Sequence, residues 1–224
     1  MSKPTLYSLA YSPACQRVFA ALVHKGVEYD NVEVDITKKE RPAAFNTLSP
    51  FGKVPAMTHD GHAIVESSVI CEYIDEVWPN PPLMPKEAAR RAEARQWIQF
   101  VNRAVTDRDG EFVHVERDKA GKVAICNKIF PDLAHLDRAL AGRDKLFFGA
   151  ELSLVDINVA PFSRNLRIWS DLVGDKLLAG YRNLNAYFDR LETVPVLQRT
   201  VYNIPEDAFR GFFKMILVDG ATVP

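Results

Sequence analysis

Ser12 and Cys15 are the side chains whose types and spacing point most directly to chemistry. They belong to the run Tyr11 to Val18, between a short apolar segment predicted as a strand and a segment predicted as a helix that ends at Gly26. Ser12 stands at the N-cap of that helix, and Pro13 stands at the first helical position, where its missing N–H costs nothing. A helix N-terminus favours a thiolate because it carries unpaired N–H groups and partial positive charge. The run therefore predicts a site that stabilises a thiolate. The alternative is a capped helix with a small buried cysteine.

Two further motifs could hold a small peptide. Before the third predicted strand, the backbone of Val54 could pair with an extended ligand if the bond to Pro55 is cis. Later in the chain, Ser67 could cap a helix whose free N–H groups would hold a carboxylate, and Glu66 beside it could bind an ammonium. Together these groups suit the amino-acid end of a zwitterionic peptide, with a plain turn and a plain helix cap as the alternatives.

Length and charge set broad limits on the function. The chain has 224 residues, 28 basic and 29 acidic side chains, and a formal net charge of −1, so one large domain or two small ones fit. A balanced charge gives no electrostatic reason to expect nucleic acid or an anionic membrane as a partner. No apolar run approaches the ~20 residues of a membrane span, and the first residues lack the apolar core of a secretory signal.

The cysteines and histidines indicate neither a disulfide framework nor a metal site. Cys15, Cys71 and Cys126 leave at least one thiol unpaired and form no Cys-x-x-Cys pair. The five histidines show no metal-ligand spacing. This cysteine usage suits a reducing cytoplasm, which is the expected location.

The elements that must position these residues alternate in type over the first third of the chain. Strands are predicted at 5–9, 29–35, 56–59 and 63–65, and helices at 13–25, 41–46 and 67–77. Two strands joined by a helix should be parallel, and two joined by the turn Asp60-Gly61 antiparallel. A four-stranded mixed sheet with helices on its faces follows.

After a proline-rich linker, strand signals largely vanish. Four prolines between Pro79 and Pro85 exclude a helix or a central strand there. Helices are predicted at 88–105, 122–141 with a break allowed at Pro131, 175–179, 183–191 and 205–217. The expected organisation is a domain at 1–78, a linker at 79–85 and an all-helical domain at 86–224.

Ser153 and Asp156 form a capping box, with Asp in place of the usual Glu, and Leu152 and Ile157 supply the flanking apolar contact. A structural role for Asp156 is therefore expected in preference to a catalytic one.

The motifs together resemble the glutathione transferases over nearly the whole chain. The matching runs are Ser-Pro-x-x-x-Arg-Val at 12–18, Ser-Pro-Phe-Gly-Lys-Val-Pro-Ala at 49–56, Glu-Ser-Ser-Val-Ile-Cys-Glu-Tyr at 66–73 and the capping box at 153–156. The resemblance implies a thioredoxin-like N-terminal domain that binds glutathione, followed by a helical domain. The resemblance extends to omega, tau and zeta members of this family and to bacterial β-etherases.

The resemblance assigns roles to individual residues. It implies that the bond before Pro55 is cis, that the Val54 backbone pairs with the cysteinyl part of glutathione, and that Glu66 and Ser67 hold the γ-glutamyl end. Lys53 and Arg41 are similar to residues that contact the glycine carboxylate. These implied glutathione-binding residues are Arg41, Lys53, Val54, Pro55, Glu66 and Ser67.

Ser12 falls where zeta and tau members keep a catalytic serine, and where omega, lambda and beta members keep a cysteine. A serine hydroxyl can donate a hydrogen bond to the glutathione sulfur and, with the helix dipole, lower the pKa of that thiol. The bound thiolate would then attack an electrophilic carbon. Two alternatives stay open: a thiol transferase that removes glutathione through Cys15, and a non-catalytic interaction module.

The electrophile is expected to be hydrophobic, such as an aromatic or aryl ether compound. Its pocket is predicted from variable residues, namely Tyr11, Phe100, Arg103, Phe212 and Phe213. The resemblance also implies a role in detoxification and a homodimer, for which Phe51 and the helices after Glu66 and Lys86 are the candidate interface.

Overall fold

A four-stranded mixed sheet forms the first part of the chain. The computed structural model describes residues 2–35, 38, 40–112, 119–173 and 177–211. The strand order is β2-β1-β3-β4; β1 runs parallel to β2, and β3 is antiparallel to both of its neighbours. The mixed sheet, its parallel β1–β2 pair and its antiparallel β3–β4 pair are as predicted from the connections. The strands are β1 (Thr5–Ser8), β2 (Asp30–Glu33), β3 (Ala56–His59) and β4 (His62–Val65).

Helices cover both faces of the sheet. Helices α1 (Pro13–His24) and α3 (Ser67–Val77) pack together and bury residues such as Val18 and Ile70 with Leu6 of the sheet. The short helix α2 (Ala43–Leu48) lies over the other face, where Phe45 packs in a separate apolar cluster. The sheet is therefore a central layer between two helical layers, the thioredoxin-like arrangement.

The register of the strands brings three chain segments to one edge of the sheet. Ala56, the first residue of β3, pairs with Tyr7 on one side and with Val65, the last residue of β4, on the other. The loop after β1, the loop before β3 and the turn after β4 therefore meet at this edge. These segments carry Ser12, Val54 and Glu66.

The second part of the chain is helical. Apart from one isolated bridge between Leu146 and Gly149, the elements described after residue 86 are helices. None of the helices in the described part of the chain is both long and apolar enough to cross a membrane. They are α4 (Ala88–Val101), a π-helical turn (Asn102–Thr106), α5 (Asp107–Gly110), α6 (Lys119–Ala139), α7 (Leu154–Val173), α8 (Arg182–Glu192) and α9 (Pro195–Thr200), and residues 206–211 are also helical.

The predicted capping box is confirmed at the start of α7. The Ser153 N–H donates to Asp156 Oδ2 at 2.8 Å, and the Asp156 N–H faces Ser153 Oγ at 3.4 Å. Asp156 also accepts from the Phe147 N–H and from the Tyr187 hydroxyl, at 2.9 and 2.5 Å. Burial raises the pKa of this carboxyl, and these donors act against the rise. Asp156 thus anchors a loop and helix α8 to α7, which is a structural role.

Three helix predictions need correction. Helix α6 continues through Pro131, because neighbours such as Phe130 and Leu133 are buried and their packing offsets one lost backbone bond. Residues 177–180 form turns, whereas a helix was expected at 175–179; residues 174–176 lie outside the described part. Helix α9, which was not predicted, begins at Pro195, and the proline takes its first position. The last predicted helix is described only as far as residue 211.

Candidate active site

Ser12 caps helix α1 at the edge of the sheet where the three segments meet. Its backbone is extended, with φ −75° and ψ 120°, and its Oγ faces the Cys15 N–H at 3.4 Å. The Ser12 carbonyl accepts the first helical bond from Gln16, and Pro13 follows at the first helical position. The side chain is half-buried. The hydroxyl therefore lies at the positive end of α1 with its own proton free to donate.

Cys15 lies one turn deeper and has no exposed surface. Its Sγ accepts a hydrogen bond from the Leu9 N–H at 3.4 Å. Burial raises the pKa of the thiol to about 11, and the bonds to Leu9 and Ser12 lower it less. A thiol in this position stays protonated at neutral pH and is closed to solvent, so its surroundings are those of a packing residue.

The loop before β3 presents backbone groups at the same edge. The bond between Val54 and Pro55 is cis, as the resemblance implied. Ser49 holds the loop from inside: its Oγ accepts from the Lys53 N–H at 3.0 Å and donates to the Lys53 carbonyl at 2.8 Å. Within the described part of the chain, no residue pairs with the Val54 backbone groups. Those groups are thus available to a ligand.

Arg41 supports this loop from the side. Its Nη1 donates to the Gly52 carbonyl at 3.0 Å and its Nε to the Lys38 carbonyl at 3.3 Å. Gly52 has φ +61°, and a Cβ there would stand 2.5 Å from Arg41 Nη1. The backbone conformation therefore favours glycine, and a side chain at this position would also displace the tip of Arg41.

Helix α3 begins differently from the prediction. Glu66 occupies the N-cap position with φ +68°, and its side chain makes no capping bond and is exposed. Ser67 is the first helical residue and is buried, so it does not cap the helix. The correction has a physical reason: the Ser67 hydroxyl accepts from Arg17 Nη1 at 3.1 Å. The first N–H groups of α3 remain without helical partners, beside an exposed carboxylate.

Arg17 joins this site to the helical half of the chain. Its guanidinium is buried and donates to Asn102 Oδ1 and Thr106 Oγ1, both at 2.9 Å, and to the Asn158 carbonyl at 3.1–3.2 Å. It also stacks on Phe162, 4.9 Å from the ring centroid. Burial lowers the pKa of Arg17 to about 10, which leaves it cationic at neutral pH. One cation thus fixes α1, α3, the π-helical turn and α7 together.

The structure separates the residues predicted for the hydrophobic pocket. Tyr11 packs against Phe209, with ring centroids 5.8 Å apart, beside Ser12. Phe100 packs instead between Trp97 and His135, and it lines a groove of about 750 Å³ together with Arg103. Tyr11 does not line that groove. Asn102 and Thr106 face Arg17, whereas Phe100 and Arg103 face the groove on another side of the same rod of helix. Phe212 and Phe213 lie outside the described residues.

Comparison with known proteins identifies the family. A model described as the glutathione S-transferase N-terminal domain matches residues 11–77, and one described as the C-terminal domain matches residues 89–190. A probable glutathione S-transferase from Nicotiana tabacum is 32% identical over 216 residues, which cover 96% of this chain and 94% of the relative. The chain belongs to the glutathione transferase family.

Solved structures of other glutathione transferases share the fold of this transferase. The omega 3C enzyme of Trametes versicolor superposes with a TM-score of 0.76 and 28% identity, over 89% of each chain. The structure of rice GST1 in complex with glutathione superposes with a TM-score of 0.83 over 96% of each chain; at 23% identity it supports the fold alone. The resemblance inferred from the motifs is confirmed, and this transferase is an enzyme with a thioredoxin-like and a helical part.

Sequence reasoning missed part of the site of this transferase. It did not assign roles to Asn102, Thr106 or Asn158, which hold Arg17, or to Phe209, which covers Tyr11. A signal was present in the arginine of the Ser-Pro-x-x-x-Arg-Val motif, because an arginine in the middle of a buried helix face needs polar partners. The partners themselves lie 85 to 141 positions away in the chain and carry no local signal.

Proposed function

We propose that this transferase conjugates glutathione to a small hydrophobic electrophile and that Ser12 activates the thiol. The observation that carries the assignment is the contrast between two neighbours on α1. The Ser12 hydroxyl lies half-exposed at the helix N-terminus, whereas Cys15 is fully buried with a raised pKa. A hydroxyl donor at a helix N-terminus stabilises a thiolate without being consumed.

In this proposal the edge of the sheet holds glutathione as an extended peptide. Val54 pairs with its cysteinyl backbone, and the α3 N-terminus with Glu66 and Ser67 holds the γ-glutamyl end. The glycine carboxylate faces Lys53, while Arg41 shapes the loop through its bond to Gly52. Residues 1–78 then form the glutathione-binding domain, and residues 86–224 contribute the pocket for the electrophile.

The electrophile in this proposal lies against Tyr11 beside the glutathione sulfur. The contact of Tyr11 with Phe209 supports an aromatic wall at that point. An aromatic wall favours planar apolar compounds, and an aryl halide or aryl ether presents such a ring next to the carbon that is attacked. A role in detoxification follows from activity toward compounds of this kind.

Calorimetry with glutathione tests the binding step. The expected dissociation constant lies in the range of about 1 μM to 1 mM. Glu66→Ala should weaken binding more than tenfold, whereas Glu76→Ala, at an exposed position of the same helix, should leave it within about twofold. If the natural chain binds no glutathione, the proposal fails and a non-catalytic module becomes the better description.

Removal of glutathione by a Cys15 thiolate is not favoured. Such chemistry needs a thiolate that a disulfide can approach. Cys15 is closed to solvent, and so are Cys71 and Cys126, whose pKa values burial raises to about 12. Three free buried thiols also support a reducing cytoplasm as the proposed location.

We further propose that two copies of the transferase form a homodimer. Phe51, 81% exposed, and Val69, 54% exposed, are the large apolar side chains most open to solvent among the described residues. Arg95 lines the groove beside Phe100 and donates to Glu72, so the groove is continuous with the face of α3 that carries Val69. In the dimer, Phe51 of each protomer fills the apolar part of the groove on its partner.

Light scattering at micromolar concentration tests the dimer. The natural chain should give twice the chain mass of 25.2 kDa. Phe51→Ser should shift the population to monomer, whereas Val123→Ser, a half-buried residue on α6, should not shift it. A single monomer mass for the natural chain would contradict the dimer and leave the glutathione assignment intact.

A further inference from the structure

Arg164, on helix α7, has a buried guanidinium that contacts the last described segment of the chain. Only 8% of the residue is exposed, and its Nη1 donates to the Ile204 carbonyl at 3.0 Å. The guanidinium carbon lies 3.7 Å from the centroid of the Phe209 ring. Among the described residues, the other two guanidinium nitrogens have no hydrogen-bond partner. The hydrogen bond and the ring contact of Arg164 therefore both hold the stretch from Ile204 to Phe209.

Two further contacts from α7 hold the same segment. The Ser163 hydroxyl shares a hydrogen bond with the Tyr202 hydroxyl at 2.8 Å, and Asp171 forms an ion pair with Arg210 at 2.7 Å. Asp171 is largely exposed, so water and salt weaken that ion pair. The contacts of Arg164 lie where water is excluded, and they are not weakened in this way.

Phe209 connects Arg164 to the proposed electrophile site. The Phe209 ring is fully buried, and its centroid lies 5.8 Å from that of Tyr11. Tyr11 directly precedes Ser12, the proposed activator of the glutathione thiol. A cation this close to an aromatic ring is attracted by its π electrons, so Arg164 favours one position of the Phe209 ring. The position of that ring in turn determines how Tyr11 is supported.

We propose that Arg164 is a positioning residue for the electrophile: it fixes the Phe209 ring and thereby the aromatic wall that Tyr11 forms beside the glutathione sulfur. The inference rests on the function proposed above, because it takes Tyr11 as a wall of the electrophile site. Arg164 contacts neither glutathione nor the reacting atoms in this proposal. Its loss should therefore weaken the binding of an aromatic group on the sulfur and leave the binding of glutathione unchanged.

A purely structural role for Arg164 predicts a different result. Loss of a contact that only stabilises the fold would lower the free energy of unfolding and would affect glutathione and its aryl conjugates alike. The ratio of the affinities for an aryl conjugate and for glutathione therefore distinguishes the two roles. This ratio is measured by binding alone, so it does not require turnover.

Calorimetry with glutathione and S-benzylglutathione tests the proposal. The natural chain should bind S-benzylglutathione at least about tenfold more tightly than glutathione, because the benzyl ring is buried against Tyr11. In Arg164→Gln this ratio should fall below about threefold, while the affinity for glutathione stays within about twofold of the natural value. Natural affinity for glutathione also shows that the variant is folded.

Arg167→Gln is the matched control. Arg167 also lies on α7 and has its guanidinium over an aromatic ring, but that ring is Phe188 of α8, which does not contact Tyr11. This variant should keep the natural ratio within about twofold. Arg164→Lys, which keeps a cation and a donor at the position, should retain more of the ratio than Arg164→Gln.

Phe209→Leu tests whether Arg164 acts through the ring. This variant removes the aromatic group and should lower the ratio as Arg164→Gln does. Adding Arg164→Gln to Phe209→Leu should then change the ratio by less than about twofold, because the ring on which the arginine acts is already absent.

The possible failures can be told apart. A natural ratio in Arg164→Gln, or independent effects of the two substitutions in the double variant, would overturn the role of Arg164 and leave the glutathione site intact. Equal affinities of the natural chain for the two ligands would show that Tyr11 forms no aromatic wall there and would overturn the inference in the same way. Binding of neither ligand by the natural chain would refute the proposed function, and this inference with it.

Discussion

Arg17 Nη1 donates to Ser67 Oγ across 3.1 Å, so the helix that begins at Ser12 directly holds the start of the helix that follows Glu66. The same guanidinium reaches Asn102, Thr106 and Asn158. The two ends of the proposed glutathione site are thereby fixed to each other and to the helical domain through one side chain. Disturbing Arg17 should affect stability and substrate binding together.

Arg17→Lys should lower the free energy of unfolding by about 3 kcal/mol. A lysine keeps the buried charge but has a single nitrogen, which cannot reach all the acceptors around the edges of the guanidinium, so buried acceptors lose their donors. Urea denaturation measures the change. Arg95→Lys, at an exposed ion pair with Glu72, is the control and should cost about 0–1 kcal/mol. Equal losses in the two variants would show that the Arg17 contacts add nothing beyond a surface pair.

Ser12→Ala should lower the rate of conjugation by roughly ten- to a hundredfold at neutral pH. The variant removes one hydrogen bond to a charged sulfur, which contributes about 1.5–3 kcal/mol. The rate should partly recover at high pH, where the glutathione thiol ionises without help. A pH–rate profile with one electrophile measures both effects.

Cys15→Ala is the matched control for that experiment and should retain most of the activity. The thiol is buried and protonated, so its loss removes packing and one weak acceptor for the Leu9 N–H. If Cys15→Ala abolishes turnover while Ser12→Ala does not, the roles are reversed and thiol-transferase chemistry replaces conjugation.

Gly52→Ala should destabilise the loop before β3 more than the same change at Gly26. Both glycines have positive φ, +61° and +66°, so both variants carry a conformational cost of about 1–2 kcal/mol. At Gly26 no atom of the described residues lies within 4 Å of the new Cβ, whereas at Gly52 Arg41 Nη1 lies at 2.5 Å and must move. The effect of the Arg41 contact is measured by comparing the denaturation curves and the glutathione affinities of the two variants. Identical results for both variants would show that Arg41 does not support the loop.

Asp109→Asn should change how stability depends on pH. Burial raises the pKa of Asp109 to about 7, and the bond from Asn165 and the charge of Arg17 lower it less. Between about pH 4, where the unfolded chain titrates, and pH 7, the folded protein binds more protons than the unfolded chain. Its stability therefore falls as the pH rises through this window, and Asp109→Asn should remove that fall.

The free energy of unfolding of the natural chain and of Asp109→Asn, measured at pH 5 and pH 8, tests this pH dependence. Asp107→Asn, at an exposed residue, is the control. A larger loss of stability at pH 8 in Asp109→Asn than in Asp107→Asn would mean that attraction to Arg17 outweighs burial.

The sequence was most informative where local rules decide the structure. The cap at Ser12, the box at Ser153 and the hairpin turn at Asp60-Gly61 depend on residues within a few positions, and all three were predicted. The directions of the β1–β2 and β3–β4 pairs were also predicted, because the type of each connection restricts how the two strands that it joins can pair.

The sequence was less informative where a residue distant in the chain binds a polar group that was expected to have a local partner. Ser67 was expected to cap α3 because serine is a common cap, but a donor 50 positions away takes its hydroxyl. Phe100 and Arg103 were assigned to the electrophile pocket by their types, whereas the direction of each is set by which face of the helix meets Arg17. Such competition is decided by tertiary packing, which no local pattern records.

The π-helical turn at Asn102–Thr106 divides one long rod into two parts with different rotational phase. A π-helical turn contains more residues than an α-helical turn. The side chains that follow it therefore point in other directions than they would on a continuous α-helix. Before the turn, Phe100 packs toward α6 through His135; after it, Asp109 and Phe112 pack toward α7 through Asn165 and Trp169. A deletion of one residue here would restore a regular helix and turn the second part away from α7, so the length of this segment is itself constrained.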